Sequence, residues 1–195
     1  MDPVTIACVV EGHGETSATP TLVRRIAGEL SIWQVNLPTL RVTKTKLLRA
    51  RVLEDQVQAA AAYVSGPGGI LVLFDADDDC PAELGPTLQN RAQAARPDKR
   101  VAVVVANREF EAWFLAAAPS IAGQRRLSET LAIPPDPEGV RGAKEWLSHH
   151  MTGASYKETL DQAALAAMFD IKISRQNSPS FDKFCREVER LLTGG

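Results

Sequence analysis

The sequence is poor in several features that mark whole classes of protein. Only three of its 195 residues are cysteines, none in a C-x-x-C spacing, so neither a disulfide framework nor a zinc knuckle is indicated. No apolar run approaches the ~20 residues of a membrane-spanning helix, and Asp2 and Pro3 do not begin a signal peptide. We therefore expect a cytoplasmic protein with no membrane partner.

An excess of positive charge is also missing. Lys and Arg number 22 against 24 Asp and Glu, so the net charge is −2. The molecule as a whole does not attract nucleic acid, and any site for a polyanion must be a local patch or use bound metal. The chain is 45% hydrophobic and 24% charged, which is typical of a globular protein with one good core.

Strands and helices alternate regularly through the first 118 residues. The predicted strands are PVTIACVV, ILVLF and RVAVVVA, with a further extended segment in WQVNLPTLRVT. The predicted helices are TPTLVRRIAGEL, KLLRARVLEDQVQAAAAYV, PAELGPTLQNRAQAA and REFEAWFLAAA. Near-continuous β-branched strands separated by helices indicate a mostly parallel sheet covered on both faces. The predicted fold class is α/β, a Rossmann-like sheet flanked by helices.

The character of the sequence changes after Pro119. A stretch rich in proline, glycine and charge is followed by two predicted amphipathic helices, KETLDQAALAAMF and PSFDKFCREVERLL. We expect residues 1–118 to form the α/β core and residues 119–195 a helical extension packed on it, within a single domain.

The turn Glu11-Gly12-His13-Gly14-Glu15 joins the first predicted strand to the first helix. Glycine-rich turns at this position usually bind phosphate through backbone N–H groups and the helix N-terminus, but two carboxylates would repel an anion. The dinucleotide fingerprint is incomplete as well, since Ser17 occupies the place of its third glycine. The turn therefore favours a cation.

Acidic residues follow three of the predicted strands. They are Glu11 and Glu15 after the first, Asp75, Asp77, Asp78 and Asp79 after ILVLF, and Glu109 and Glu111 after RVAVVVA. Because the carboxyl ends of parallel strands meet at one edge of a sheet, these acids are expected to share a crevice. Such a cluster repels itself unless a hard cation neutralises it, and oxygen ligands suit Mg²⁺ or Mn²⁺. Taken singly, each group has an ordinary explanation, since acids commonly cap helix N-termini.

A strand that ends in Glu-Gly-x-x-Glu, followed by a later strand that ends in Asp-x-Asp, resembles the Toprim domain of topoisomerases, primases and overcoming-lysogenization-defect nucleases. From VEGHGET through FDADDD, NREFEAWFLA, GAKEWL and YKETLDQ to SPSF, the chain resembles the domain-of-unknown-function family numbered 4276. The Toprim resemblance implies Mg²⁺ at the strand ends and cleavage or transfer of phosphodiesters.

The resemblance also implies roles for individual residues. The implied metal ligands are Glu11, Glu15, Asp75 and Asp77, with Glu109 or Glu111 as a further acid. Glu11, Asp75 and Asp77 would then be catalytic, together with Lys157 as a late lysine that stabilises charge on the phosphate or helps to deprotonate water. The alternative for Lys157 is an exposed lysine neutralised by Glu158 and Asp161. The chain departs from the common Toprim pattern at Cys80-Pro81, where a glycine usually follows Asp-x-Asp.

These features favour metal-assisted hydrolysis of nucleic acid, with DNA and RNA both open as substrates. Relatives suggest an effector of bacterial anti-phage defence that works with an ATPase partner. Two alternatives are an enzyme of phosphoryl transfer that acts on small nucleotides and a non-catalytic interaction subunit. A nucleic-acid track is predicted in RVTKTKLLRAR through Lys44, Lys46 and Arg49, with a solvated basic face as its alternative.

Overall fold

The sheet is parallel throughout in the computed structural model, which describes residues 3–194. Its strands are β1 (Val4–Val10), β2 (Val35–Asn36), β3 (Thr39–Arg41), β4 (Gly68–Asp75) and β5 (Val101–Ala106). One side of β1 pairs with β2 and then β3, the other side pairs with β4, and β4 pairs with β5. The predicted α/β fold class with a mostly parallel sheet is confirmed.

Helices connect the strands and continue beyond the last one. They are α1 (Glu15–Glu29), α2 (Lys44–Leu47), α3 (Val52–Ala61), α4 (Pro81–Ala95), α5 (Ala112–Leu115), α6 (Ala143–His149), α7 (Ala163–Met168), α8 (Ile171–Asn177) and α9 (Pro179–Thr193). Two short 3₁₀ helices occupy Ala118–Ile121 and Pro137–Gly139, and a π-helical turn occupies Glu158–Gln162. Within residues 3–194, no helix combines the length and apolar character needed to cross a bilayer.

Both faces of the sheet are buried, which explains why the strands read as continuous apolar runs. In β4, Leu71 and Leu73 belong to the core that also contains apolar residues of α1 and α9. The intervening Ile70, Val72 and Phe74 belong to a second core with residues of α3 and α4. Because successive side chains of a strand point to opposite faces of the sheet, the side chains of each strand are divided between the two cores.

The segment after Pro119 contributes directly to one of these cores. Phe181 and Phe184 of α9 are fully buried, and each ring centroid lies 5.1 Å from that of Trp113. The spacing of the apolar residues in α9 gives it one apolar face, which packs on β4 and β5. Residues from both sides of Pro119 thus share one hydrophobic core.

Some element boundaries differ from the sequence prediction. The predicted helix KLLRARVLEDQVQAAAAYV is two helices, because Arg51 adopts a left-handed backbone with φ of 66° between α2 and α3. Helix α1 begins at Glu15 and includes Pro20, whereas the sequence placed its start near Thr19. The late segment contains α7, α8 and α9 where two helices were predicted.

Candidate active site

The topology places a switch point at the ends of β1 and β4. The chain leaves β1 for β2 and β3 on one side of it and then crosses to β4 on the other side. Open α/β sheets bind ligands at such a switch point, beyond the carboxyl ends of the strands. Glu11 follows β1 at this edge, and Asp75 is the last residue of β4.

Glu11 and Glu15 are joined through the backbone of the first turn. The Oε2 atom of Glu15 accepts a hydrogen bond of 3.0 Å from the N–H of Glu11. The Oε1 atom of Glu11 accepts one of 3.1 Å from the N–H of Lys44. Its Oε2 atom is buried and has no hydrogen-bond partner in the described part of the chain. One carboxylate oxygen at the end of β1 therefore has an unused acceptor.

Glu15 lies in the first turn of α1 and is only 3% exposed. Burial raises the pKa of its carboxyl to about 8, and the neighbouring charges of Glu111 and Glu11 act in the same direction. Hydrogen bonds from the N–H groups of Glu11 and Gly12 oppose this shift without cancelling it. Glu15 is thus an acid held where its charged form is poorly solvated.

Asp75 lies beside the same group. Its Oδ1 atom accepts a hydrogen bond of 2.8 Å from the N–H of Phe110, which ties the end of β4 to the loop after β5. Burial raises its pKa well above the usual range for aspartate, and the charges of Glu15 and Glu111 raise it further. The carboxyls of Glu15, Asp75 and Glu111 therefore form one electrostatic group, which we call the acid cluster.

Glu111 is fully buried and is oriented by two neutral donors. Its Oε1 atom accepts hydrogen bonds from the hydroxyl of Tyr156 at 2.7 Å and from Nε2 of Gln162 at 3.0 Å. Its Oε2 atom has no hydrogen-bond partner among residues 3–194. Burial raises the pKa of Glu111 to about 7, although the charge of Lys144 lowers it. Burial and the Glu111 charge raise the pKa of Tyr156, so its hydroxyl remains a donor.

Lys144, in the first turn of α6, places a cation beside the acid cluster. Its Nζ atom lies 3.7 Å from Oε2 of Glu111 and 3.7 Å from Oε2 of Glu158. Burial favours its neutral form, but the charges of Glu111, Asp75 and Glu158 outweigh burial and raise its pKa. The positive form of Lys144 is therefore favoured at the rim of a buried group of acids.

The two glycines of the Glu11–Glu15 turn make room for the π-helical turn Glu158–Gln162. A Cβ atom on Gly14 would overlap Oε1 of Gln162 and lie 2.6 Å from the carbonyl oxygen of Glu158. One on Gly12 would lie 2.5 Å from Oε1 of Glu158, an atom that also accepts a hydrogen bond of 3.1 Å from the N–H of Gly14. Close packing between two distant segments explains these glycines without a phosphate.

Asp77 and Asp79 turn toward a different partner. The Nζ atom of Lys44 lies 3.0 Å from Asp77 and 2.9 Å from Asp79, and it donates to the carbonyl oxygen of Ala76. Asp77 adopts a left-handed backbone with φ of 53°, and its side chain is 64% exposed. The Asp-x-Asp pair thus splits, with Asp75 in the acid cluster and Asp77 at the surface.

The remaining predicted acids, Asp78 and Glu109, line a cavity of about 190 Å³. Asp78 forms ion pairs with Arg141 at 2.8 Å and with Arg108 at 3.4 Å. The Oε2 atom of Glu109 accepts a hydrogen bond of 3.2 Å from the N–H of Lys144. Glu109 therefore positions the backbone at the start of α6, while Glu111 is the member of the pair that belongs to the acid cluster.

The predicted basic residues are not gathered at one surface. Lys44 is 7% exposed and held by Asp77 and Asp79, whereas Lys46 and Arg49 are exposed. Lys157 is exposed too, and its N–H, not its side chain, is bonded to Oδ2 of Asp161 at 2.8 Å. The lysine that the structure brings to the acids is Lys144, and Lys157 lies on the outer side of the π-helical turn.

Sequence reasoning missed Lys144, Tyr156, Glu158 and Gln162 as site residues. Glu158 and Gln162 are four residues apart, which places them on the same side of a helical turn. That spacing, in the segment YKETLDQ, was the available signal. Glu158 is bonded to Gly14, 144 positions earlier, and Gln162 to Glu111, 51 positions earlier, so only the fold shows these contacts.

The donor set suits a hard divalent cation, although the side chains do not already enclose one. Among the described residues, no three His, Cys, Asp or Glu side chains are arranged closely enough to hold a metal ion. Two buried carboxylate oxygens, Oε2 of Glu11 and of Glu111, nevertheless lack hydrogen-bond partners in that part of the chain, and both are the hard donors that Mg²⁺ prefers.

The fold and the site define a class of protein, namely a parallel α/β fold with buried acids at the switch point of its sheet. The chain belongs to the family described as a domain of unknown function, DUF4276, whose model matches residues 10–189. That match spans both the α/β core and the helices after Pro119, and it includes every member of the acid cluster. No curated protein and no solved structure matches the chain.

Proposed function

We propose that this protein hydrolyses phosphodiester bonds in nucleic acid with the help of Mg²⁺ or Mn²⁺, in the manner of a Toprim nuclease. The observation that carries the proposal is the acid cluster at the switch point of the sheet. Glu15, Asp75 and Glu111 are buried together. Burial raises the pKa of all three, and the charge of Glu111 raises those of Glu15 and Asp75 further. Natural proteins keep such unfavourable groups mainly where function requires them.

The residues that would hold the cation are Glu11, Asp75 and Glu15, with Glu111 as a further ligand. When bound, the cation would supply polarisation of the scissile phosphate and a lowered pKa for an attacking water. Asp77 is exposed at the same edge and would have to leave Lys44 before it could act as a ligand. Glu109 bonds the backbone of Lys144, which makes it a positioning residue.

The side chain of Lys144 provides a positive charge from the protein itself. Its pKa is raised, so it remains protonated at neutral pH and can stabilise negative charge on a phosphate at the crevice. Tyr156 and Gln162 fix the orientation of Glu111 through hydrogen bonds to Oε1. Glu158 bonds the N–H of Gly14 and so joins the π-helical turn to the turn after β1.

Hydrolysis of small nucleotides is the second candidate, and one observation favours it. Lys44 was predicted as part of a nucleic-acid track, but its amino group is taken by Asp77, Asp79 and the Ala76 carbonyl. Of the basic residues in the segment RVTKTKLLRAR, Lys44 is thus withdrawn from the surface, while Arg41, Lys46, Arg49 and Arg51 are exposed. A small substrate would not require an extended basic surface.

A role in anti-phage defence together with an ATPase partner is part of the proposal and rests on the resemblance to overcoming-lysogenization-defect nucleases. In this proposal the ATPase partner licenses cleavage. A non-catalytic interaction subunit is the least favoured function, because it would not require three buried carboxyls that repel one another.

The proposed activity is tested on purified protein with Mg²⁺ or Mn²⁺ against plasmid, single-stranded DNA, tRNA and nucleotides. We expect cleavage of nucleic acid by the parent and at least about 100-fold slower cleavage by Asp75→Asn, the range expected when a group that stabilises the transition state is removed. The matched control is Asp98→Asn, which alters a surface aspartate paired with Arg96. Nucleotide turnover without strand cleavage would favour the second candidate.

A further inference from the structure

A basic cavity opens on the outer side of the π-helical turn. Its volume is about 340 Å³, and its lining includes Arg125, Arg126, Ser155, Lys157 and Asp161. Three cationic side chains and one anionic side chain therefore share a single concave surface. The net charge of the chain is −2, so this surface differs in sign from the molecule as a whole.

The cavity and the acid cluster lie on opposite sides of one short segment. Glu158 and Gln162 extend inward from Glu158–Gln162 and contact Gly14 and Glu111. Lys157 and Asp161, which precede and belong to that segment, line the cavity. A ligand that reached both the cavity and the acid cluster would therefore cross only the π-helical turn.

The arginines of this cavity have a strained backbone. Arg125 has φ of 49° and Arg126 has φ of 66°, so two consecutive residues with a Cβ atom occupy the left-handed region. The conformation is held by backbone hydrogen bonds from Thr152 to the carbonyl of Arg126, at 2.8 Å, and from Ser128 to that of His150, also at 2.8 Å. Backbone strain that is held in this way is concentrated at functional sites.

The acid of the cavity is already neutralised. Oδ1 of Asp161 accepts two hydrogen bonds from Arg125, from Nε at 3.1 Å and from Nη2 at 2.8 Å. Its Oδ2 atom accepts the N–H of Lys157 at 2.8 Å. Arg126 donates a hydrogen bond of 3.5 Å from Nη1 to the carbonyl oxygen of Gly153, and neither Arg126 nor Lys157 forms an ion pair within residues 3–194. The two cationic residues of the lining other than Arg125 are therefore not neutralised by a carboxylate.

We propose that this cavity binds a phosphate group of a nucleic-acid strand whose scissile phosphate lies at the acid cluster. Arg126 and Lys157 are the residues that would contact the anion, and Arg125 is fixed beside them by Asp161. A guanidinium group and an ammonium group are the side chains that bind phosphate most effectively. This inference rests on the proposed function, because that function identifies the ligand as a nucleic-acid strand. Lys157 then has a role in binding the strand.

The test measures binding without cleavage. The probe is a short fluorescein-labelled single-stranded DNA in EDTA, followed by fluorescence anisotropy over a range of salt concentrations. The double variant Arg126→Gln/Lys157→Gln is compared with the parent and with Arg24→Gln/Lys172→Gln. The control removes the same charge from two exposed residues that do not line the cavity. Melting temperatures confirm that each variant is folded.

The double variant is expected to bind the probe at least about tenfold more weakly. Its salt slope should fall by about 0.7 for each phosphate that the variant no longer neutralises. The control should stay within about twofold of the parent. Equal weakening in both double variants, or no weakening in either, overturns the inference.

Failure of this inference can be told apart from failure of the proposed function. Asp75→Asn should bind the probe in EDTA no more weakly than the parent, because it leaves every residue of the cavity in place and removes a negative charge near the scissile phosphate. If binding depends on Arg126 and Lys157 but the protein cleaves nothing, the cavity binds phosphate and the proposed nuclease function is wrong. If the protein cleaves nucleic acid but binding does not depend on these residues, the nuclease function stands and the inference about the cavity is wrong.

Discussion

The amino group of Lys144 lies 3.7 Å from Oε2 of Glu111, a buried carboxylate oxygen with no hydrogen-bond partner in the described residues. This ion pair joins the start of α6 to the loop after β5 and places a fixed cation at the acid cluster. A phosphate that approached the cluster would meet Lys144 before it met the carboxylate of Glu111, because the lysine is the more exposed of the two.

Replacement of Lys144 tests its part in turnover. Lys144→Met should lower the rate of cleavage at least about 100-fold, since it removes a charge that stabilises the transition state. Lys157→Met is the matched comparison and should lower the rate much less, because Lys157 faces away from the acids and is expected to act in binding. Rates at saturating substrate separate the two effects. A larger fall in rate for Lys157→Met than for Lys144→Met would contradict the assignment.

The hydrogen bond from Tyr156 to Glu111 should contribute measurably to stability. Tyr156→Phe removes the hydroxyl and leaves a buried carboxylate with one donor fewer, which should cost about 1–3 kcal/mol in the free energy of unfolding. Urea denaturation measures the change. Tyr63→Phe, on an exposed tyrosine, is the control and should change stability by less than about 0.5 kcal/mol. Equal stability of Tyr156→Phe and the parent would mean that water replaces the buried hydroxyl.

The metal-free protein should become less stable as the pH rises. Burial raises the pKa of Glu15 from 4.5 to about 8, so between these values the folded state binds a proton that the unfolded state has released. The free energy of unfolding therefore falls across this interval. Glu15→Gln should flatten that fall, while Glu29→Gln, at the exposed end of α1, should not. Denaturation in EDTA at pH 5 and pH 8 measures this change in the free energy of unfolding. The same change in the parent and in Glu15→Gln would contradict the raised pKa of Glu15.

A methyl group at Gly14 should disturb the packing of the π-helical turn. The new Cβ atom would lie 2.6 Å from the carbonyl oxygen of Glu158, which is backbone and cannot rotate away. Gly14→Ala should therefore lower the free energy of unfolding by about 1–3 kcal/mol, the range for overpacked sites. Gly66→Ala, where no atom lies within 4 Å, provides the control. A neutral effect at Gly14 would show that the two segments do not pack closely.

The sequence was informative about the elements whose signal is local. The apolar runs of β1, β4 and β5 and the amphipathic pattern of α9 all reflect burial, and the strand ends indicated Glu11, Glu15, Asp75 and Glu111 directly. The break at Arg51 was missed because a left-handed arginine carries no pattern in the sequence. Lys144 was missed because its proximity to Glu111 depends on how the segment after Pro119 packs on the sheet. Asp77 belongs to the Asp-x-Asp motif and was expected beside Asp75, but its left-handed backbone directs its side chain toward Lys44.

Calorimetric titration of the metal-free protein with Mn²⁺ at pH 8 tests the cation site most directly, because ligation requires deprotonated carboxylates. The parent should bind the ion, and the control Asp98→Asn should bind it equally well. Asp75→Asn and Glu11→Gln should bind it at least about tenfold more weakly, which is the usual effect of removing one ligand or its support. Binding that is unchanged by Asp75→Asn and Glu11→Gln, or no binding by the parent, would contradict a cation site at the ends of β1 and β4.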